Sequence, residues 1–446
     1  MKFPNYPNVK DSGSEYLGVI PAHWDIMPVK FVLASPITDG PHETPQLFDE
    51  GIPFISAESV KNDRLDFSKK RGFISQEDNE RFSRKYTPKR GDIYIVKSGA
   101  TTGNVARVDT DECFNIWSPL AALRPDSEKA TTDYLFYYIK SKPFSVAIEL
   151  GWNYGTQQNI GMGVLANLDI SVPPLEEQQK IAAFLDRKTA EIDTLIAKKR
   201  RLLDRLAEKR TALITRAVTK GLNPDAPMKD SGIEWLGEIP AHWEVRRLKQ
   251  LIAEPFKNGI FKKKEHWGAG TPIINVGDLY PGNEVNADGL DRLECSEEEK
   301  QKYDSSIGDF FFVRSSLKLD GIGKSASLLQ KNEPTVFECH VVRGRPITEL
   351  VEPRFLSFVL NSTYARAWFV AAANAVTMAT IDQSKVKDLV IGLPGYSEQQ
   401  RIADFVELNM RRLDHVSDRV LSVIGALQEY RSALITNAVT GQIKVA

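Results

Sequence analysis

Three cysteines in 446 residues, Cys113, Cys295 and Cys339, are too few and too scattered for a disulfide framework or a paired-cysteine zinc site. A reducing cytosol is therefore the expected compartment. No window holds the roughly 18 uninterrupted apolar residues of a spanning helix, so no membrane segment is expected. The opening MKFPNYPNVKDSG has prolines and no apolar core, which does not read as a signal peptide. Charge of one sign is missing as well: 58 Lys and Arg face 59 Asp and Glu, for a net charge of -1. Any nucleic-acid site must then come from local basic patches rather than from overall excess. Catalytic signatures are also scarce. No glycine-rich fingerprint follows a strand and no Asn-Pro-Pro-Tyr motif occurs. Gly323-Lys324-Ser325 matches the tail of a phosphate-binding loop, but Lys318 stands where that pattern needs its first glycine. His23 and His242 sit beside Trp24 and Trp243, where packing or capping explains them better than catalysis. Cys339-His340 has no partner pair at metal spacing. The chain is expected to be non-catalytic, with no cofactor and no metal of its own.

What is present is duplication. Lys10 to Val32 reads KDSGSEYLGVIPAHWDIMPVKFV, and Lys229 to Leu251 reads KDSGIEWLGEIPAHWEVRRLKQL. Later segments align too: Leu168 with Leu389, Gln178-Gln179 with Gln399-Gln400, and Ala212–Thr215 with Ala433–Thr436. A repeat this long is a copied structural unit, not a short-period array. Between the anchors lie two variable blocks, 33–167 and 252–388. Both hold short β-type runs broken by Gly and Pro: 51–56 and 91–96 in the first, 270–275 and 308–313 in the second. Each then holds a short helical pattern, Asp133–Ser141 and Arg354–Ser362, followed by a last strand. Each block reads as a compact mixed α/β globule, one fold with two different surfaces.

Two long helical patterns complete the frame, Pro173–Gly221 and Pro394–Gly441. Prolines stop what precedes them, Glu176 and Glu177 suit a first turn, and Gly221 closes the first one. About 43 residues make a rod of about 65 Å. On the second rod Val406, Leu413, Val416, Val420, Val423, Leu427, Tyr430 and Leu434 fall on steps of three and four, a coiled-coil seam. The matching first-rod positions are Leu185, Ile192, Leu195, Lys199, Leu202, Leu206, Lys209 and Leu213, with Ile181, Phe184, Ile196 and Leu203 widening the stripe. Neither rod can be stable alone. Chain order predicts that the two pair antiparallel, in a pseudo-twofold repeat; the alternative is two bundles, each rod folding on its own globule. The expected class is α+β: two mixed α/β domains separated by two long helices forming an antiparallel coiled coil. The expected boundaries are 1–170, 171–221, 222–391 and 392–446.

Two similar globules with unlike loops suit a linear, periodic ligand such as DNA, whose groove faces recur every ~34–36 Å. Local charge agrees: residues 61–90 hold ten basic side chains against five acidic ones, and the second block has Lys257 and Lys262–Lys264. Such clusters neutralise phosphates, while hydroxyl, amide and guanidinium groups on loops read base edges. Candidate DNA-binding residues in the first block are Lys69, Arg71, Lys97, Ser98, Thr101, Thr102, Asn104, Tyr154, Thr156, Gln157 and Gln158. In the second they are Lys262, Lys263, Arg314, Ser315, Lys318, Lys324 and Thr377. Ordinary turn chemistry and solvated charge explain any one of these equally well.

The order of variable block, Pro173-Pro-Leu-Glu-Glu-Gln-Gln-Lys-Ile181 helix, Ile239-Pro-Ala-His-Trp243 start, second block and Pro394–Ile402 helix resembles the specificity subunit of type I restriction–modification enzymes. Ile20–Trp24 and the ALIT sequences at 212–215 and 433–436 belong to the same pattern. Gly395 departs from it, standing for the second proline, and weakens that helix cap. The resemblance covers nearly the whole chain, and its specificity lies in the ordering. It implies two target recognition domains, each reading half of a bipartite, asymmetric site on double-stranded DNA. The helices would set the gap and dock two methyltransferase (modification) subunits. Restriction/translocase subunits would join the full complex, with S-adenosylmethionine, ATP and Mg on the partners. Two other readings stay open: an adaptor whose globules bind proteins, and an ATPase built on 323–325.

Overall fold

The computed structural model describes residues 3–150, 159–375 and 378–445. It divides into two compact units, Met1–Lys199 with Leu421–Ala446, and Arg200–Val420. Each unit is a globule with parts of both long helices packed on it.

In the first unit the apolar runs Ile93–Val96 and Leu120–Leu123 are buried at every position, as continuous rather than alternating hydrophobicity requires. They form the centre of a four-stranded antiparallel sheet, with Val105–Arg107 on one edge and Thr38–Asp39 on the other. A three-stranded sheet sets Ile52–Ile55 between Asn115–Ile116, parallel to it, and Gly72–Ile74, antiparallel. Ile55, Tyr94, Val96, Ile116 and Leu120 share one apolar cluster. The aromatic helix Thr132–Ile139 follows, then Lys142–Leu150, and Asp169–Val172 closes the globule against Asp25–Pro28. The second unit repeats each step. Lys257–Asn258, Val341–Gly344, Phe310–Val313 and Ser325–Ser327 make the four-stranded sheet. Asp291–Leu293, Trp267–Ile274 and Val336–Phe337 make the three-stranded one, and Val390–Leu393 pairs with Glu244–Arg247. An ion pair on a buried aspartate recurs where each Gly-Asp opens a central strand: Asp92 with Arg124 at 2.7 Å, Asp309 with Arg345 at 2.8 Å.

The long helices are Leu175–Lys220, 46 residues, and Tyr396–Val439, 44 residues. At 1.5 Å per residue the first is about 69 Å long. Within the first unit Arg431 pairs with Asp193 at 3.0 Å, while Val439 offers its carbonyl to Ser171, just before the first helix. Within the second unit Arg210 pairs with Asp414 at 2.6 Å, while Ala217 and Val218 share a cluster with Ile402, Ala403 and Val406. In each unit the two helices run antiparallel, as chain order requires.

The seam differs from the sequence reading in one of its two columns. Val406, Val420 and Leu434 are buried, but Val416, Val423 and Tyr430 are exposed; the second inward column runs Met410, Ser417, Ile424, Arg431, Ala438, with Met410, Ile424 and Ala438 buried and Ser417 and Arg431 half-buried. On the first helix Leu195, Leu202 and Lys209 are likewise outside, while Thr189, Ile196 and Ala217 are buried and Leu203 and Arg210 half-buried. The correction is a shift of one position. Choosing the most apolar column missed that Arg431 and Arg210 enter the seam because Asp193 and Asp414 face them.

A glutamate–glutamine pair clamps each helix start to its globule. Glu177 accepts from the Trp24 indole at 3.2 Å and contacts the His23 imidazole at 2.9 Å; Glu398 does the same with Trp243 at 3.2 Å and His242 at 2.8 Å. Gln178 is fully buried and takes the Thr131 N–H at 2.8 Å while donating to the Lys129 and Pro173 carbonyls at 2.9 Å. Gln399 takes the Glu352 N–H at 2.8 Å and donates to Leu350 at 3.0 Å and Pro394 at 2.9 Å. Thr131 and Glu352 are the N-caps of the helices that follow. The histidines thus serve packing and orientation, as expected. At the other helix ends, Gly441 (φ +73°) lies on Pro21 and Trp24, and Gly221 (φ +72°) on Trp243 and Pro240. Both adopt the left-handed turn that only glycine takes without strain.

Candidate nucleic-acid interface

The two loops singled out from sequence prove to be the same turn. Ile93–Val96 and Val105–Arg107 are antiparallel neighbours, so residues 97–104 form the hairpin between them. Phe310–Val313 and Ser325–Ser327 are antiparallel neighbours, so 314–324 form its counterpart, with a longer insert. Lys97 therefore matches Arg314, and Asn104 matches Lys324. In each globule a described residue or strand beyond the second short helix lies beside this turn. Asn159 bridges to Ser98, and Thr380 and Ala379 pair with Ser315 and Ser316. Tyr154, Thr156, Gln157, Gln158 and Thr377 lie outside the described residues.

In the first globule the turn has an exposed tip. Thr101 and Asn104 are exposed, and the Thr102 hydroxyl is spent on the Gly99 carbonyl at 2.7 Å. Lys97, by contrast, is buried, with its ammonium 2.7 Å from the Asp39 carboxylate. Lys85 binds the same carboxylate, and His42 lies 3.1 Å from it. Burial pushes the Asp39 carboxyl upward, but the hydrogen bonds and charges of Lys85 and Lys97 outweigh it and hold it below its ordinary value. Lys97 is thus a structural cation that fixes the turn rather than a free phosphate ligand. The neighbouring turn 117–119 abuts it, Pro119 accepting from the Lys97 N–H at 2.8 Å. There the Arg71 guanidinium lies 4.1 Å from the Trp117 ring, a flat cation held by stacking. Lys69 is exposed at the end of the short 67–69 helix. Lys97, Ser98, Thr101, Thr102, Asn104 and Arg71 are thereby linked through adjoining turns.

In the second globule Lys262 is also committed, 2.7 Å from Glu299 and 2.6 Å from the Glu294 carbonyl; Lys263 beside it is exposed. Ser315 is buried in the turn's base and Lys318 is exposed at its tip. Arg314 donates its backbone N–H to His340 at 2.8 Å. The Asp39 position is occupied by Asn258, so no matching carboxylate neutralises this turn from the first strand. Arg314, Ser315, Lys318 and Lys324 come together here; Lys262 and Lys263 belong to a separate loop. Sequence reasoning missed Asp39, Trp117, Tyr280, His340 and Arg366, which reach these turns from distant positions. A stacked Trp–Arg pair has no local spacing by which to be found. Glu338, Cys339 and His340 place ligand atoms within 4.8 Å of one another. Three adjacent side chains fall short of the four that a structural zinc site takes, and the Glu338 carboxylate already accepts the His340 N–H. Among the described residues no helix is long and apolar enough to cross a membrane.

Comparison with known proteins agrees with this arrangement. Over 440 residues the chain is 24% identical to the type I restriction enzyme EcoKI specificity subunit of Escherichia coli (strain K12), covering 96% of this chain and 90% of the relative. It is 22% identical to the putative type I restriction enzyme MjaX specificity subunit of Methanocaldococcus jannaschii, with 96% of each covered. Its fold matches a chain solved in work on complex assembly and conformational transition of the type I R-M system. That match has a TM-score of 0.70 at 14% identity and covers 94% of this chain and 98% of that one. The HsdS subunit from Thermoanaerobacter tengcongensis matches at TM-score 0.50 and 16% identity, with 95% and 98% covered. A family model described as the type I restriction modification DNA specificity domain matches residues 41–204 and again 240–413. The chain belongs to that family of DNA specificity domains and carries the domain twice.

Proposed function

We propose that this chain is the sequence-specific DNA-recognition subunit of a type I restriction–modification complex, without catalytic activity of its own. Each globule reads one half of a bipartite, asymmetric site on double-stranded DNA. The carrying observation is one fold present twice, with the same clamps and differently wired hairpin turns. A shared frame with unlike turns suits a target whose halves differ. The candidate contacts are Thr101, Thr102, Asn104 and Arg71 with Lys69 in the first globule, and Arg314, Lys318 and Lys324 with Lys263 in the second. Tyr154, Thr156, Gln157, Gln158 and Thr377 remain candidates because the described residues that follow them in sequence, Asn159, Ala379 and Thr380, pair with the same turns. Arg and Lys there position the backbone, while Asn, Thr and Gln suit base edges.

The long helices act as the spacer for the non-specific gap and as the dock for two methyltransferase subunits. The exposed columns support this: Val416 and Val423 are 41% and 42% exposed, beside the buried stripe of the same helix. Restriction/translocase subunits complete the assembly, S-adenosylmethionine and ATP with Mg belong to the partners, and the cytosol is the compartment. Competition binding tests the reading. The chain with its methyltransferase partners should prefer a duplex carrying the site methylated in the native genome over a random duplex of equal length. Equal affinity for the two would contradict it.

A further inference from the structure

An open cleft of about 730 Å³ lies beside the 314–324 turn. Its lining is unusual in charge. Lys318, Lys324, Arg366 and His340 meet there, with Asp320 the one carboxylate among the lining residues. Arg366 holds the turn by donating to the Ile322 and Asp320 carbonyls, so its charge is fixed in place. Lys324 is half-buried, and among the described residues no carboxylate lies within ion-pairing distance of its ammonium. Burial first, then the like charges of Arg366 and Arg210, lower its pKa from the ordinary lysine value. An ammonium withdrawn from water beside other cations is costly unless something compensates it. The first globule has Asn104 at this position and neutralises its own turn lysine with Asp39. The uncompensated cation belongs to the second globule's turn, at the edge of a space large enough to admit a ligand.

We propose that this cleft is a phosphoryl-anion site, in which Lys324 contacts one backbone phosphate of the duplex read by the second globule. The inference rests on the DNA-recognition reading for its ligand. The hydroxyls of Ser316 and Tyr280, 3.4 Å apart on the cleft wall, supply further hydrogen-bonding groups. A phosphate here carries no sequence information; it fixes the register of the second globule on the duplex. A free phosphate shares the chemistry, and the Gly323-Lys324-Ser325 sequence makes it the other source to distinguish.

The test compares the full-length chain, with its methyltransferase partners, as wild type, Lys324→Gln and Lys324→Arg. Affinity for the methylated-site duplex and for a random duplex is measured across salt concentration. Each neutralised phosphate contributes about 0.9 to the slope of log affinity against log salt, so Lys324→Gln should lower that slope by about one on both duplexes. Affinity at low salt should fall about 10-fold while the preference for the site is kept. Lys324→Arg should retain the wild-type slope. Melting of Lys324→Gln should be no lower than wild type, because an uncompensated charge has been removed. In a second arm, inorganic phosphate is titrated against the melting temperature. An unchanged slope, with phosphate stabilising wild type but not Lys324→Gln, would overturn the duplex as the source and keep the anion site. No change in either arm would overturn the proposal. A wild type without site preference would refute the DNA-specificity reading separately, and the slope on random DNA would still judge the cleft.

Discussion

Replacing Gln178 by alanine removes one side chain and strands three backbone groups at once: the Thr131 N–H and the carbonyls of Lys129 and Pro173. Gln178 is fully buried, its bond to the Pro173 carbonyl is buried and the other two are part-buried, so water reaches these groups poorly in the folded protein. A buried polar group left without a partner costs about 1–3 kcal/mol. The three costs do not simply add, because the vacated space can admit one water that bridges two of them. A net loss of about 3 kcal/mol is the working figure. Since the unit is one part of a larger chain, global unfolding is a poor readout, and local hydrogen exchange is the better one. At 1.4 kcal/mol per decade, exchange of the Thr131 amide should quicken about 100-fold. The Glu352 amide, held by Gln399 in the other unit, serves as the internal control and should stay within about threefold of wild type. Gln399→Ala should give the mirror result. An unchanged Thr131 amide, or equal acceleration at Glu352, would refute the argument that each glutamine locks its own globule.

Three further outcomes are expected. Gly441→Ala should destabilise more than Gly221→Ala: both lose the left-handed turn at about 1 kcal/mol, but at 441 a Cβ would meet Pro21 at 2.2 Å, against 3.4 Å to Trp243 at 221. Equal losses in thermal melting would contradict the packing at Pro21. Val420→Glu, in the buried seam, should cost about 3 kcal/mol or more, whereas Val416→Glu and Val423→Glu should stay within about 0.5 kcal/mol and instead weaken methyltransferase binding. Unimpaired assembly by both surface variants would remove that face as the dock. Burial pushes the Asp63 carboxyl up, yet Lys140 and then Arg431 outweigh it and hold it below the ordinary aspartate value. A depressed folded value stabilises above the unfolded pKa of about 3.9 and is lost as pH falls through the folded value. Asp63→Asn, which tolerates the local φ of +68°, should therefore flatten the acid limb of the pH–stability curve. An unaltered limb would exclude the ion cluster as its cause.

The duplication, the two long helices and the main strands were legible because each is a local or copied signal. Prolines and glycines bounded Leu175–Lys220 and Tyr396–Val439, and apolar runs marked Ile93–Val96 and Phe310–Val313. The second short helices, Lys142–Leu150 and Thr363–Ala372, escaped notice, since they continue the first across a single break. The seam's second column was misread because apolarity was weighed without its partner: Arg431 belongs inside only where Asp193 awaits it. The same reason hid the clamps. Glu177 and Gln178 look like a polar first turn until Trp24 and the 129–131 loop are folded against them. Around the hairpin turns, residue type suggested contact but could not separate Lys97, already paired with Asp39, from Lys324, which has no such partner among the described residues. That distinction depends on a residue 58 positions away.

The most direct test exchanges residues 33–167 for those of another family member, leaves both helices and the second globule unchanged, and maps methylated bases genome-wide. One half of the recognised site should change, with the other half and the gap between them preserved. A change in both halves, or in neither, would contradict two independently reading globules on a common frame.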